Sequence, residues 1–141
     1  MIVTFCGHRE ISLQTIERLA PALYNEIEKL INDGADTFLL GGYGQFDRLC
    51  AETVKKLKDK YPHITSTLVI PYIDRDYDRD LYDNSEYPPI EKTPKRFAIS
   101  ARNKYMVEKS DVVISYVVVP WGGAYDTLSF AKRKKKFLIN L

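Results

Sequence analysis

One rhythm runs through this chain. Short apolar runs of strand length alternate with longer stretches whose apolar residues recur every three or four positions. "IVTFC" comes first and stops at Gly7, as a buried strand would. A helical stretch follows. Ser12 suits its N-cap, Ile16, Leu19, Leu23, Ile27, Leu30 and Ile31 share one face, and Asn32-Asp33-Gly34 stops it. Pro21 is expected to kink or split this helix near Ala20.

"DTFLL" is the second strand, and "GGYGQFD", Gly41 to Asp47, is the turn after it. Phe46, Leu49, Cys50, Val54 and Leu57 form the next apolar face, ended by Tyr61-Pro62. "ITSTLVIPY" is a third strand, "FAISARNKYMVEKS" a third helix and "DVVISYVVV" a fourth strand. "GGAYDTLSFAKRKK" reads as a turn and helix, and "KFLINL" as a last strand. Strands alternating with helices imply right-handed βαβ units. The expected architecture is a single α/β domain over residues 1–141: a three-layer α/β/α fold with a mainly parallel sheet of about five strands.

Residues 74–95, opening "DRDYDRD", break the rhythm. They are acidic, rich in tyrosine and proline, and aperiodic. The reading is a long surface loop that carries at most a short helix and acts as a lid. Asp74, Asp76 and Asp78 imitate the start of a calcium loop. Arg79 then stands where glycine is needed and Ser85 where glutamate is needed, so no metal site is expected.

Composition bounds the rest. At 141 residues the chain can bury a core without staples. Its net charge of +2 gives no sign of a nucleic-acid partner, and the basic run Lys132–Lys136 reads as a complement to a helix C-terminus. No run approaches the roughly 18 apolar residues of a membrane span. Cys6 and Cys50 sit among apolar neighbours and read as buried thiols of a reducing compartment. A cytoplasmic protein without a signal peptide is expected.

In an open parallel sheet, ligands bind beyond the carboxyl ends of the strands, near the point where strand order reverses. Three distinctive stretches follow strand ends here: "GHR", "GGYGQFD" and "PWGGAYDT". Glycine lets a ligand approach the backbone, and the helix behind it offers free N–H groups and a positive dipole end. Neither glycine turn is a dinucleotide fingerprint or a P-loop. Asp47 either complements the helix dipole or accepts a hydrogen bond from a ribose hydroxyl. Arg9 and Arg102 are placed to meet an anion, and Thr127 either caps its helix or binds phosphate. Tyr43 or Trp121 would stack on a base.

Taken in order, "TFCGHR", "FLLGGYGQFD", "SARNKYMVEKSDVVISY" and "GGAYDTLSFAKRKKKFLINL" resemble the SLOG superfamily of Rossmann-like domains, most closely its YpsA-like branch. The resemblance implies a nucleotide-derived ligand of the ADP-ribose or nucleoside-phosphate type, with no further cofactor. It implies a pocket made by Gly7, His8, Arg9, Gly41, Gly42, Asp47, Arg102, Asn103, Gly122, Gly123 and Thr127; Gly44 is a further candidate of the same turn, although the branch usually carries its third turn glycine one place later. More distantly the chain resembles the LOG phosphoribohydrolases and the single-strand DNA binder DprA. In the former a motif similar to GGxGTxxE supplies a glutamate; Phe130 stands at that position here. A glycosidase would then need Asp47 or Asp126 as its carboxylate, with Arg102 beside it. The expected role is therefore a ligand-binding sensor. A nucleotide N-glycosidase is the alternative, and single-strand DNA binding ranks behind both. A homo-oligomer is expected on base rates alone.

Overall fold

A computed structural model describes residues 1–141. The elements are β1 (Ile2–Gly7), α1 (Leu13–Asn32), β2 (Thr37–Leu40), α2 (Gln45–Lys60), β3 (Thr65–Val69), β4 (Asn84–Glu86), α3 (Ala98–Lys109), β5 (Val112–Tyr116), α4 (Gly123–Arg133) and β6 (Phe137–Asn140). One 3₁₀ turn, Lys95–Phe97, leads into α3. All strands run parallel in the order β4-β3-β2-β1-β5-β6. This is a Rossmann-like α/β fold.

Strand alternation divides the core between the two faces of the sheet. Val3 and Phe5 of β1 join Phe38, Leu40, Val112 and Ile114 in the larger cluster, which α1 covers with Leu19, Leu23 and Ile27 and α2 with Cys50, Val54 and Leu57. Cys6 and Val113 point to the other face, where Val107 of α3 and Leu128 and Ala131 of α4 cover them. Successive strand residues face opposite ways, so both halves of a buried strand must be apolar. Asp111 ties the sheet at its other end: its Oδ2 accepts from the Ile2 N–H at 2.8 Å.

Two expectations need correction. Helix α1 runs unbroken from Leu13 to Asn32 with Pro21 inside it. Pro21 and Glu17, whose carbonyl loses its partner, lie on the exposed face, where water can serve that carbonyl. The buried stripe on the opposite face then holds the helix through the defect. Ser12 caps it as expected, accepting from the Thr15 N–H at 3.1 Å.

The second correction concerns residues 74–95. They add a sixth strand to the sheet rather than a short helix. Ile70 N–H donates to the Glu86 carbonyl at 2.9 Å, and Asp83 N–H to the Ser66 carbonyl at 3.1 Å. Asn84, Ser85 and Glu86 are all exposed, so no apolar pattern marks the strand. Lys58 pairs with Asp83 at 2.7 Å and anchors the approach to this strand.

Candidate functional site

Strand order reverses at β1, which has β2 on one side and β5 on the other. The carboxyl ends of β1 and β5, with the turn after β2, therefore open onto one crevice. A cavity of about 190 Å³ lies there. Each of the three post-strand stretches reaches it: Gly7, His8 and Arg9 after β1, Tyr43 and Asp47 after β2, and Trp121, Gly122, Gly123 and Thr127 after β5. Arg102 and Asn103 line it from α3.

The sequence reading missed its apolar floor, which Phe5, Cys6, Ile99 and Met106 supply. Ile99 and Met106 flank Arg102 at helical spacing, so that part was legible on α3. Four other candidates lie off the cavity wall. Gly41 is buried beneath it. A Cβ there would come within 3.0 Å of Asp47 Oδ2 and 3.1 Å of Arg102 Cζ, so glycine is what lets those two groups converge. Gly42 and Gly44 border a different hollow, with Leu68, Tyr77 and Tyr82. Asp126 is exposed and faces a separate cleft outside. No residue of 74–95 lines the cavity. Instead Tyr77 stacks on Tyr43 at 6.2 Å and buttresses the wall from behind.

Arg102 is 2% exposed, unusual for a guanidinium. Its Nη1 donates to the carbonyls of Gly41 at 2.6 Å and Val69 at 2.8 Å, and its Nε donates to Asn103 Oδ1 at 2.9 Å. It therefore joins the ends of β2 and β3 to α3, and only Nη2 is left for a ligand. Burial pushes its pKa down, against the pull of Asp47. Asp47 accepts from the Tyr43 N–H at 3.3 Å. Burial raises its pKa to about 6, opposed by the charge of Arg102, the Tyr43 hydrogen bond and the charge of Arg9. No cation pairs with it within 4.0 Å, so at neutral pH the cavity holds a carboxylate short of partners.

The remaining side chains divide into positioning and open groups. His8 Nε2 accepts from the Val118 N–H at 2.9 Å and so holds the β5–α4 loop. Thr127 Oγ1 donates to the Gly123 carbonyl at 2.9 Å, which leaves its lone pairs rather than its proton for a ligand. Gly7 is fixed by packing, since a side chain there would collide with the Phe46 ring. Arg9 is exposed, its guanidinium 5.7 Å from the Tyr43 ring centroid. At the head of α4, the N–H groups of Gly123, Ala124 and Tyr125 have no partner in the protein. Trp121 beside them is 66% exposed. Phe130, at the glutamate position of the phosphoribohydrolase motif, packs with the apolar cluster under α4 and is absent from the cavity.

The sequence pattern of YpsA, the YspA SLOG family, matches residues 4–118. The chain belongs to this family. Among its relatives, a UPF0398 protein of Halalkalibacterium halodurans is 24% identical over 96% of the chain and 82% of its own length. The fold resembles that of DNA processing protein A from Helicobacter pylori, a structure concerned with single-stranded DNA binding. The TM-score is 0.65 at 21% identity, over 99% of this chain and 64% of that one. The chain thus spans less than two thirds of that protein. The molybdenum cofactor carrier protein of Chlamydomonas reinhardtii gives a TM-score of 0.64 at 15% identity, over 99% of this chain and 75% of that one. At these identities the structural likenesses speak for the fold alone.

Proposed function

We propose that this protein binds a nucleotide-derived ligand in the cavity above β1 and β5 and acts as a sensor or regulatory module. The observation that carries this reading is the head of α4: Gly123 and Ala124, whose N–H groups have no partner, line a crevice that also holds Arg9 and the partly free guanidinium of Arg102. Free N–H groups at a positive helix end suit phosphate. Asp47 would accept from a ribose hydroxyl. A volume of about 190 Å³ falls below the roughly 300–1,000 Å³ of sites that enclose a whole drug-sized ligand. The phosphate and sugar would sit inside, with the base projecting against Trp121 or Tyr43. The two buried free cysteines fit a cytoplasmic setting.

Titration calorimetry with AMP, ADP-ribose, NAD and cyclic derivatives tests the proposal. Binding by at least one of them is expected, and silence from all at high micromolar concentration defeats it. One observation favours a second reading. Asp47 is the one carboxylate on the cavity wall, and its pKa of about 6 lets it hold or release a proton near neutrality. In that reading its carboxylate takes a proton from a water that attacks the anomeric carbon as the C–N bond breaks, and the base leaves with that bond's electron pair and gains a proton from solvent. Chromatographic detection of free base discriminates the two. Release that persists after loss of both Asp47 and Asp126 would contradict this chemistry.

A further inference from the structure

The main cavity has a neighbour. A second cleft of about 290 Å³ lies outside the head of α4, and Arg9, Ile99, Asn103, Gly123 and Thr127 line both. The two spaces are therefore adjoining chambers with a common wall. Beyond that wall the outer chamber adds Arg96, Ser100, Lys104 and Asp126.

Its charge is lopsided. Three cations, Arg9, Arg96 and Lys104, face one carboxylate, Asp126, and none of the four makes an ion pair within 4.0 Å. Unpaired cations occur elsewhere on the chain as well; what sets these three apart is that they converge on one cleft with a single carboxylate. The cations of the outer chamber rest on aromatic rings. Arg96 lies 4.8 Å from the centroid of Phe97, and Lys104 lies 5.7 Å from that of Phe130. Concave walls focus the field of such charges. A dianion there would replace like-charge repulsion with charge-assisted hydrogen bonds.

We propose that the outer chamber takes a second phosphoryl group of the same ligand, so that the preferred ligand is a nucleotide with two phosphoryl groups rather than one. The first phosphate sits in the inner cavity, and the second crosses the Gly123–Thr127 wall to Arg96 and Lys104. This rests on the nucleotide reading above and narrows its ligand class. The second phosphoryl group has two possible chemical sources. It extends the same chain, as in ADP, or it stands on a different sugar oxygen, as in adenosine 3′,5′-bisphosphate.

The test compares AMP, ADP and adenosine 3′,5′-bisphosphate by calorimetry at fixed ionic strength. The proteins are the wild-type chain, the double variant Arg96→Ala/Lys104→Ala and the control Lys132→Ala/Arg133→Ala. The control removes the same charge from the far end of α4. All four substituted side chains are exposed, and thermal melts verify that each variant folds. In the wild type, one of the doubly phosphorylated ligands should bind about 10-fold or more tightly than AMP, and which one it is identifies the source. The Arg96/Lys104 variant should bring that ratio to within about 2-fold, while the control keeps it. Equal affinities for all three ligands in the wild type overturn the proposal and leave the nucleotide reading standing. A ratio that survives in the Arg96/Lys104 variant, or collapses equally in the control, also overturns it. Absence of binding by all three ligands overturns the proposal, and the nucleotide reading falls with it only if ADP-ribose, NAD and the cyclic derivatives are silent too. If only a single-stranded oligonucleotide binds, with a steep loss on adding salt, the cleft is a nucleic-acid track and the proposal is wrong.

Discussion

The two glycine turns look alike in sequence and do different work. Gly44 before α2 and Gly122 before α4 both sit at φ near +90° (92° and 93°), with extended ψ and no side-chain cap. That region is open to glycine almost alone. Around the first turn three groups have partners within the protein, while the Phe46 and Asp47 N–H groups have none. Gln45 N–H donates to the Arg9 carbonyl at 2.8 Å, Tyr43 N–H to Asp47, and Arg102 to the Gly41 carbonyl. A Cβ on Gly44 would lie 2.6 Å from the Arg9 Cα. Around the second turn, Gly122 and Gly123 have nothing within 4 Å of a built Cβ, and the helix head lacks partners. The first turn is a joint that sets the positions of Asp47 and Arg102. The second is the open face toward which a ligand's phosphate would point.

The largest effect expected on the joint comes from Arg102→Ala. It strips partners from two buried carbonyls and leaves a cavity, for a loss of roughly 3–5 kcal/mol in urea unfolding. Arg102→Lys should recover little of it, because an ammonium does not reproduce the planar fork. A near-neutral Arg102→Ala would mean that β2, β3 and α3 hold together without it.

Alanine at the two cap positions sets joint against open face directly. Gly44→Ala should cost above about 3 kcal/mol, since backbone strain and collision with Arg9 add. Gly122→Ala carries the strain alone, about 1–3 kcal/mol. Equal losses by chemical denaturation would erase the distinction drawn between the turns.

Asp47 gives the next effect, and its sign follows from linkage. Its folded pKa of about 6 lies above the ordinary 3.8, so the folded state holds the proton more tightly. Its contribution favours folding at low pH and is lost as pH rises from about 4 to about 6, by up to about 3 kcal/mol. Asp36, Glu28 and Asp83 have lowered pKa values and act with the opposite sign, so the readout is wild type minus Asp47→Asn across this window. Parallel stability curves for the two proteins would show that Asp47 is not held against its charge.

The smallest change in stability belongs to the open face. Trp121→Ala should alter unfolding by less than about 0.5 kcal/mol. It should still weaken a bound nucleotide several-fold if the base stacks there, since such stacking contributes about 1–3 kcal/mol. Unchanged affinity would move the base to Tyr43.

The order of strands and helices, the Ser12 cap and most of the cavity wall were legible in the sequence. Each is written in local signals: apolar period, turn glycine, and position just after a strand. The YspA family likeness was carried by the same short stretches. Three things were not legible. Strand β4 has no buried side chain, so its pairing with β3 leaves no pattern in "NSE". The continuity of α1 through Pro21 depends on packing against β1 and α2, which overrides the local break. The separate fates of the two glycine turns were decided by residues far away in the chain. Arg9 crowds Gly44, and Arg102 reaches Gly41 across a separation of 61 residues. Where glycine had to stand was set by the sequence alone, because backbone conformation is local. Which glycines face a neighbour and which face open space depends on long-range packing, and only the tertiary structure decided that.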